Sequence, residues 1–291
     1  MNSHTLKYIV VFGLSVLVGT AARALTVNVA VNGDIQGAIN EVAAAGGGTV
    51  NVGSGTATLQ TELVMANSVT LNGAGNPATT WDLASGAAGG VKSPSSAWSN
   101  IALTNFKIYG AGTSVAQEGC NIGGVGSSNN GGKMSNIQVL NTGYGAGLMA
   151  CNNGSVSSCN FHNSGMSNLY HGFYFGGGSA TVISGNQMNN SPMGSGLHVN
   201  NWATINSGSD NNNTTSNNGQ NGHSFTASTS DPFTNWTINS CTANSNGYAY
   251  TTGSEYGFYL GAGSGTIENC TASGNRTANY YTGAFKQINN H

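Results

Sequence analysis

Charge is the scarcest commodity in this chain of 291 residues: 7 Lys and Arg, 9 Asp and Glu, together 5% of the sequence. So few cations form no basic patch, which excludes nucleic acid as a partner. The acidic residues are spread just as thinly. Asp210, Asp231, Glu255 and Glu268 are those of the later part of the chain, too dispersed for the carboxylate cage that calcium needs. The same sparseness argues against a glycosidase, which places two carboxyl groups about 5 to 9.5 Å apart. Asp210 with Glu255 is the one remote pairing to weigh. No Cys-x-x-Cys or Cys/His spacing indicates zinc. The expectation is therefore a protein with no metal and no cofactor. Long apolar runs are missing too. The longest, Tyr8 to Val18, is short of the about 20 residues that span a bilayer.

That run has a different reading. Lys7 precedes it, and small residues ending in Ala22-Arg23-Ala24 follow, the layout of a secretory signal. The expectation is a leader over residues 1–24, a secreted or periplasmic mature chain over residues 25–291, and no transmembrane segment in that mature chain. Loss of Lys7 and Arg23 leaves 5 basic residues (7−2) against 9 acidic ones, a net charge of about −4 (5−9).

What is abundant is glycine, 45 residues of it, set in a repeat. Gly172-Phe173-Tyr174-Phe175, Gly196-Leu197-His198-Val199, Gly222-His223-Ser224-Phe225 and Gly257-Phe258-Tyr259-Leu260 share one pattern. Behind them Cys159, Asn186, Asn213, Cys241 and Cys270 recur at intervals of 27, 27, 28 and 29. Short strands at such a period, separated by Gly, Asn and Ser, predict an all-β solenoid in one elongated domain. Gly and Asn suit turns that require positive φ. Five cysteines leave at least one unpaired. Cys241 with Cys270 and Cys120 with Cys151 are possible bridges, and small buried residues of an interior stack are the alternative. Ser85 to Ser99, Ala111 to Lys133 and Thr226 to Trp236 read as excursions from the coils.

Near the start, Asp34 to Ala45 predicts a short amphipathic helix with Ile35, Ala38, Ile39 and Val42 on one face. Asp34-Ile35-Gln36-Gly37-Ala38-Ile39-Asn40 followed by Gly46-Gly47-Gly48-Thr49-Val50-Asn51-Val52 resembles the opening of pectate-lyase-like right-handed parallel β-helix proteins, with Gly53-Ser54-Gly55 where such openings usually carry Pro-x-Gly. The resemblance covers about fifty residues. It implies a single-domain right-handed parallel β-helix with a short N-terminal capping helix, and it leaves the reaction open, because members include lyases, epimerases, hydrolases and phage depolymerases. Gly222-His223-Ser224 approaches the Gly-His-Gly segment of polygalacturonase-like members, but the aspartate pair is missing.

Alternation within the repeats predicts Tyr174, His198, Ser224 and Tyr259 on one outward column, with Met149 extending it. His198 is the sharpest candidate, with His171 one coil earlier and His223 one coil later. His223 falls at the inward phase and would join only through a bulge. A histidine base and a tyrosine acid suit removal of the C5 proton of a uronic acid and protonation of the leaving oxygen. The expected activity is a metal-independent polysaccharide lyase acting by β-elimination on an acidic polysaccharide. His198, His171, Tyr174 and His223 are its candidate catalytic residues; Tyr259, Asn200, Asn201, Ser224, Tyr170 and Lys133 are its candidate substrate contacts. A C5-epimerase would use the same groups, and a non-catalytic glycan-binding or structural β-helix would need only the tyrosine strip.

Overall fold

The structure, a computed structural model, describes residues 24–123, 129–167, 169–200, 207–227, 234–249 and 255–291. The leader, Asn201 and the centre of the Thr226 to Trp236 segment lie outside the described residues.

The bends come first, since they decide where strands can run. Ser158, Gly185, Asn212, Ser240 and Asn269 all have φ between 53° and 64°. Each stands one residue before the Cys159, Asn186, Asn213, Cys241 and Cys270 column. A second set, Asn141, Asn163, Asn190, Asn217 and Ser245, has φ between 51° and 58°. Left-handed backbone at these points turns the chain sharply, and Asn tolerates it at modest cost. The Asn and Ser richness of the sequence is therefore the chemistry of corners.

Between corners run strands that stack only in parallel. They form a first sheet of 11 strands, from Leu25–Val29 to Ala284–Ile288, a second of 9, from Gly55–Leu59 to Thr271–Ser273, and a third of 9, from Leu63–Val64 to Ala278–Tyr281. One coil is a strand of each sheet in turn, for example Thr181–Ser184, Gln187–Asn189 and Leu197–Asn200. Neighbouring coils are about 4.8 Å apart. Phe173, Phe175, Leu197, Val199, Phe225, Phe258 and Leu260 fill the interior and are fully buried.

Corner amides that face inward find side-chain acceptors. Asn186 Oδ1 accepts from the Cys159 N–H at 2.9 Å, and Asn213 Oδ1 accepts from the Asn186 N–H at 2.7 Å. A second ladder runs through Asn218, Asn246 and Asn275. A buried polar side chain is stable when its hydrogen bonds are met, as they are here. All five cysteines are free and buried, so neither bridge forms. Cys241 and Cys270 stack side by side, with Cys270 Sγ accepting the Cys241 N–H at 3.4 Å. Cys120 belongs to the third sheet, while Cys151 sits in a separate two-stranded sheet.

Two expected excursions are instead parts of coils. Gly89–Lys92 and Glu118–Ile122 are strands of the third sheet. Their glycines hid the strand pattern and have a packing reason. A Cβ on Gly90 would stand 2.5 Å from Ile108 Cδ1, and one on Gly119 would stand 2.0 Å from Val139 Cγ1.

The helix spans Ile35–Ala44. Asp34 Oδ1 accepts from the Gly37 N–H at 2.8 Å, which satisfies a first-turn donor. Ile35, Ala38, Ile39 and Val42 are buried toward the first coil's strands. Among the described residues no helix is long and apolar enough to cross a membrane.

Candidate functional site

The third sheet carries the site. Its register aligns Lys92, Asn121, Gly147, Tyr174, His198, Ser224, Tyr259 and Tyr281 on successive coils. They alternate with buried neighbours, so the column faces outward. Gly147 occupies the place expected for Met149, which lies two residues further along. A glycine there leaves a gap between Asn121 and Tyr174. The gap is the floor of a cleft of about 230 Å³ lined by Glu118, Asn121, Tyr144, Tyr170, His171 and Tyr174, among others.

Ring stacking organises this end of the column. His171 and His198 lie face to face, centroids 4.1 Å apart and planes 5° from parallel, and Tyr174 stacks on His198 at 5.2 Å. Tyr144 and Tyr170 lie against each other at 3.7 Å. The Ser195 N–H donates to His171 Nδ1 at 3.0 Å, which assigns the imidazole proton to Nε2. Burial, and then the neighbouring His198, hold His171 well below the usual histidine range. Burial lowers His198 to about 4. Both rings are thus neutral at neutral pH. His198 Nε2 lies 3.1 Å from Thr226 Oγ1, which also accepts from Asn200 Nδ2 at 3.3 Å. His198 Nδ1 is buried without a hydrogen-bond partner.

Glu118 is the carboxyl of the cleft. Burial raises its pKa, Asn121 Nδ2 donating to Oε2 at 3.1 Å opposes the rise, and Glu62 adds to it. Lys92 lowers it slightly but is itself paired with Glu62. Glu118 therefore keeps its proton to a higher pH than a solvated glutamate does.

Of the residues expected from sequence, His198, His171, Tyr174 and Tyr170 come together, and Asn200 reaches them through Thr226. Ser224 holds its register but is only 2% exposed. Tyr259 is three coils from Tyr174, about 14 Å at about 4.8 Å per coil, and joins Tyr256 and Tyr281 in a separate cluster with centroids 5.1 to 5.6 Å apart. Two expectations are corrected. His223 pairs in register with Leu197 and Phe258 and is fully buried, its Nδ1 2.7 Å from Asp210 Oδ2. No bulge brings it outward. Burial by itself would lower His223, but the Asp210 carboxylate outweighs that and raises it. Lys133 belongs to the first sheet, where it borders a separate hollow of about 450 Å³ beside Gly46, Gly47 and Gly48.

Glu118, Asn121 and Tyr144 escaped the sequence reading. Their signal was the alternation in Gly119-Cys120-Asn121-Ile122 and Gly145-Ala146-Gly147-Leu148, which matches the four later repeats.

No family model and no curated protein matches the sequence. Solved structures do match the fold. The surface adhesin PfbA of Streptococcus pneumoniae is similar at a TM-score of 0.64 and 12% identity, over 88% of this chain and 74% of that one. DFA-IIIase from Arthrobacter chlorophenolicus A6 in complex with GF2 gives 0.60 and 13%, over 84% and 70%. The A-module of the Azotobacter vinelandii mannuronan C-5 epimerase AlgE4 gives 0.52 and 17%, over 88% and 89%. Likeness at such identities speaks for architecture and not for activity. With parallel sheets wound coil upon coil and neighbours of this kind, the protein has a right-handed parallel β-helix fold.

Proposed function

We propose that the protein is exported, binds an acidic polysaccharide along its third sheet, and cleaves it by β-elimination in the cleft over Gly147 without a metal ion. The observation that carries this reading is the meeting, at one gap in the outward column, of the neutral His171 imidazole, three tyrosines and a carboxyl of raised pKa, with the neutral His198 ring stacked on His171 and Tyr174 behind them. Elimination begins by removing the proton next to a carboxylate, so that carboxylate's developing charge must be stabilised. Glu118, whose burial favours the neutral acid, the Asn121 amide and His171 Nε2–H are donors suited to that role; a neutral carboxylic acid donating to an enolate is an established device. His198 accepts the C5 proton through Nε2, in the tautomer where Nδ1 carries the proton, once the Thr226 hydroxyl that donates to Nε2 in the free protein turns away and releases that lone pair. A base of pKa about 4 is weak, which makes the donors essential to the rate. Tyr174 protonates the leaving oxygen. Tyr256, Tyr259 and Tyr281 offer ring faces to sugars further along the chain. The helix Ile35–Ala44 serves as the cap of the first coil, shielding its interior from water.

Glycan binding without turnover is the second reading, favoured by the engagement of His198 Nε2 with Thr226 and the burial of Nδ1. A C5-epimerase would use the same groups and return the proton on the opposite face. Purified mature protein incubated with a panel of uronic-acid polymers separates the three. Growth of ultraviolet absorbance from an unsaturated product is the expected result. Deuterium uptake at C5 without that absorbance identifies an epimerase. Retention on the polymer with neither signal leaves a binder, and no retention at all ends the proposal.

A further inference from the structure

The interior holds a second group of chemically active side chains, away from the cleft. Asp210, His223, Cys241 and Cys270 are each at most 1% exposed. One ligand atom from each of Asp210, His223 and Cys241 lies within 4.8 Å of the other two. His223 Nδ1 is 2.7 Å from Asp210 Oδ2, and Cys241 Sγ is 3.3 Å from Asp210 Oδ1. Cys270, one coil on, has its Sγ 3.4 Å from the Cys241 backbone nitrogen, whose N–H it accepts. Asn213 Nδ2 donates to Asp210 Oδ1 at 2.5 Å, and the His223 ring stacks on Phe258 at 4.7 Å.

This set is hard to explain as packing. Its coil neighbours in the sheets, Ile183, Ile238, Phe258 and Leu197, are apolar, and an ion pair in such surroundings is often no better than an apolar replacement. One carboxylate, one imidazole and one thiol meet within 4.8 Å, with a second thiol one coil on, and these are donors of the kind a closed tetrahedral zinc site uses.

We propose that Asp210, His223, Cys241 and Cys270 form a structural site for a borderline-soft divalent metal ion, zinc by its ligand chemistry, that ties three successive coils together from within. Asp210 and His223 share one coil, and Cys241 and Cys270 come from the next two. The ion takes the carboxylate, the neutral imidazole and both thiolates, releasing the two thiol protons and the proton on Nδ1. The site then carries a charge of −1, which the Asn213 amide supports from outside the ligand set. Bond lengths of about 2.0 to 2.3 Å require ligand atoms about 3.3 Å or more apart, so binding parts Nδ1 and Oδ2 by about 0.6 Å.

The test uses the full chain. Protein produced in zinc-supplemented medium should hold one zinc per folded chain by mass spectrometry of the metal, retained against chelator until the fold is lost. Wild type unfolded and refolded with Co²⁺ should show tetrahedral d–d bands and thiolate-to-cobalt charge transfer. Cys241→Ser and Cys270→Ser should each weaken the charge-transfer band, and the double substitution should remove it, with the β circular dichroism unchanged. Folded wild type with no zinc, and no charge transfer after refolding with Co²⁺, overturns the proposal and leaves a buried Asp–His pair. Metal binding unchanged in the double variant overturns the ligand assignment. If the variants do not fold, the two wild-type measurements decide.

Discussion

Acidification from pH 7 to pH 4 should weaken this fold through its stacked imidazoles, and His198→Gln should remove the share that His198 contributes. His198 is held at about 4 against an ordinary 6.5. Between those values the unfolded chain binds a proton that the folded chain refuses, so stability falls as pH falls, and below about 4 this group adds no further loss. At about 1.4 kcal/mol per pH unit the full effect is about 3 kcal/mol. His171 acts in the same direction, being lowered as well. His223 is raised; its contribution grows as pH falls from 7 through 6.5 and is complete below that. Glu118 is raised too, so its contribution grows as pH falls toward 4.5 and offsets part of the loss. His171, Glu118 and His223 are common to both proteins and cancel in the comparison. Urea titrations followed by circular dichroism at pH 7, 5.5 and 4 give the free energies. Wild type should lose about 3 kcal/mol more than His198→Gln between the two extremes. Parallel pH dependence in the two proteins would refute the claim that His198 is buried as a neutral ring.

Gly147→Val should fill the cleft floor while leaving the fold intact. A Cβ there meets Asn121 Oδ1 and Tyr174 O at 3.6 Å, ordinary contact distance, so the expected outcome is a melting temperature close to wild type with polymer affinity or turnover reduced about tenfold or more. Equal activity would place the substrate elsewhere. Glu118→Gln should flatten the high-pH limb of the activity profile: the wild-type donor is lost as pH rises through the raised Glu118 pKa, whereas an amide donates at every pH. A limb that persists in the variant assigns it to another group. Asn186→Leu should cost about 1 to 3 kcal/mol in chemical denaturation, because the Cys159 N–H loses its acceptor inside the coil. A neutral result would mean that water replaces the amide.

How much of this was legible in the chain follows from the range of the forces involved. Asn212 and Asn269 announce corners because a left-handed turn is a property of one residue and its neighbours. Alternation in Gly196-Leu197-His198-Val199 separates inward from outward because successive Cβ atoms of a strand point to opposite faces. Those local rules, repeated at 27 to 29 residues, were enough for the solenoid, the helix Ile35–Ala44, and the alignment of Tyr174 with His198. They could not reveal that Gly147 opens a cleft, that Glu118 and Tyr144 wall it, or that Lys133 faces another side. Those outcomes depend on how many residues each coil spends between corners, which shifts whole strands from one sheet to the next. Nor could they bring Asp210, His223, Cys241 and Cys270 together. Residues separated by 13, 18 and 29 positions in sequence become neighbours only when parallel stacking, at about 4.8 Å per coil, converts one period of chain into the width of a hydrogen-bonded step.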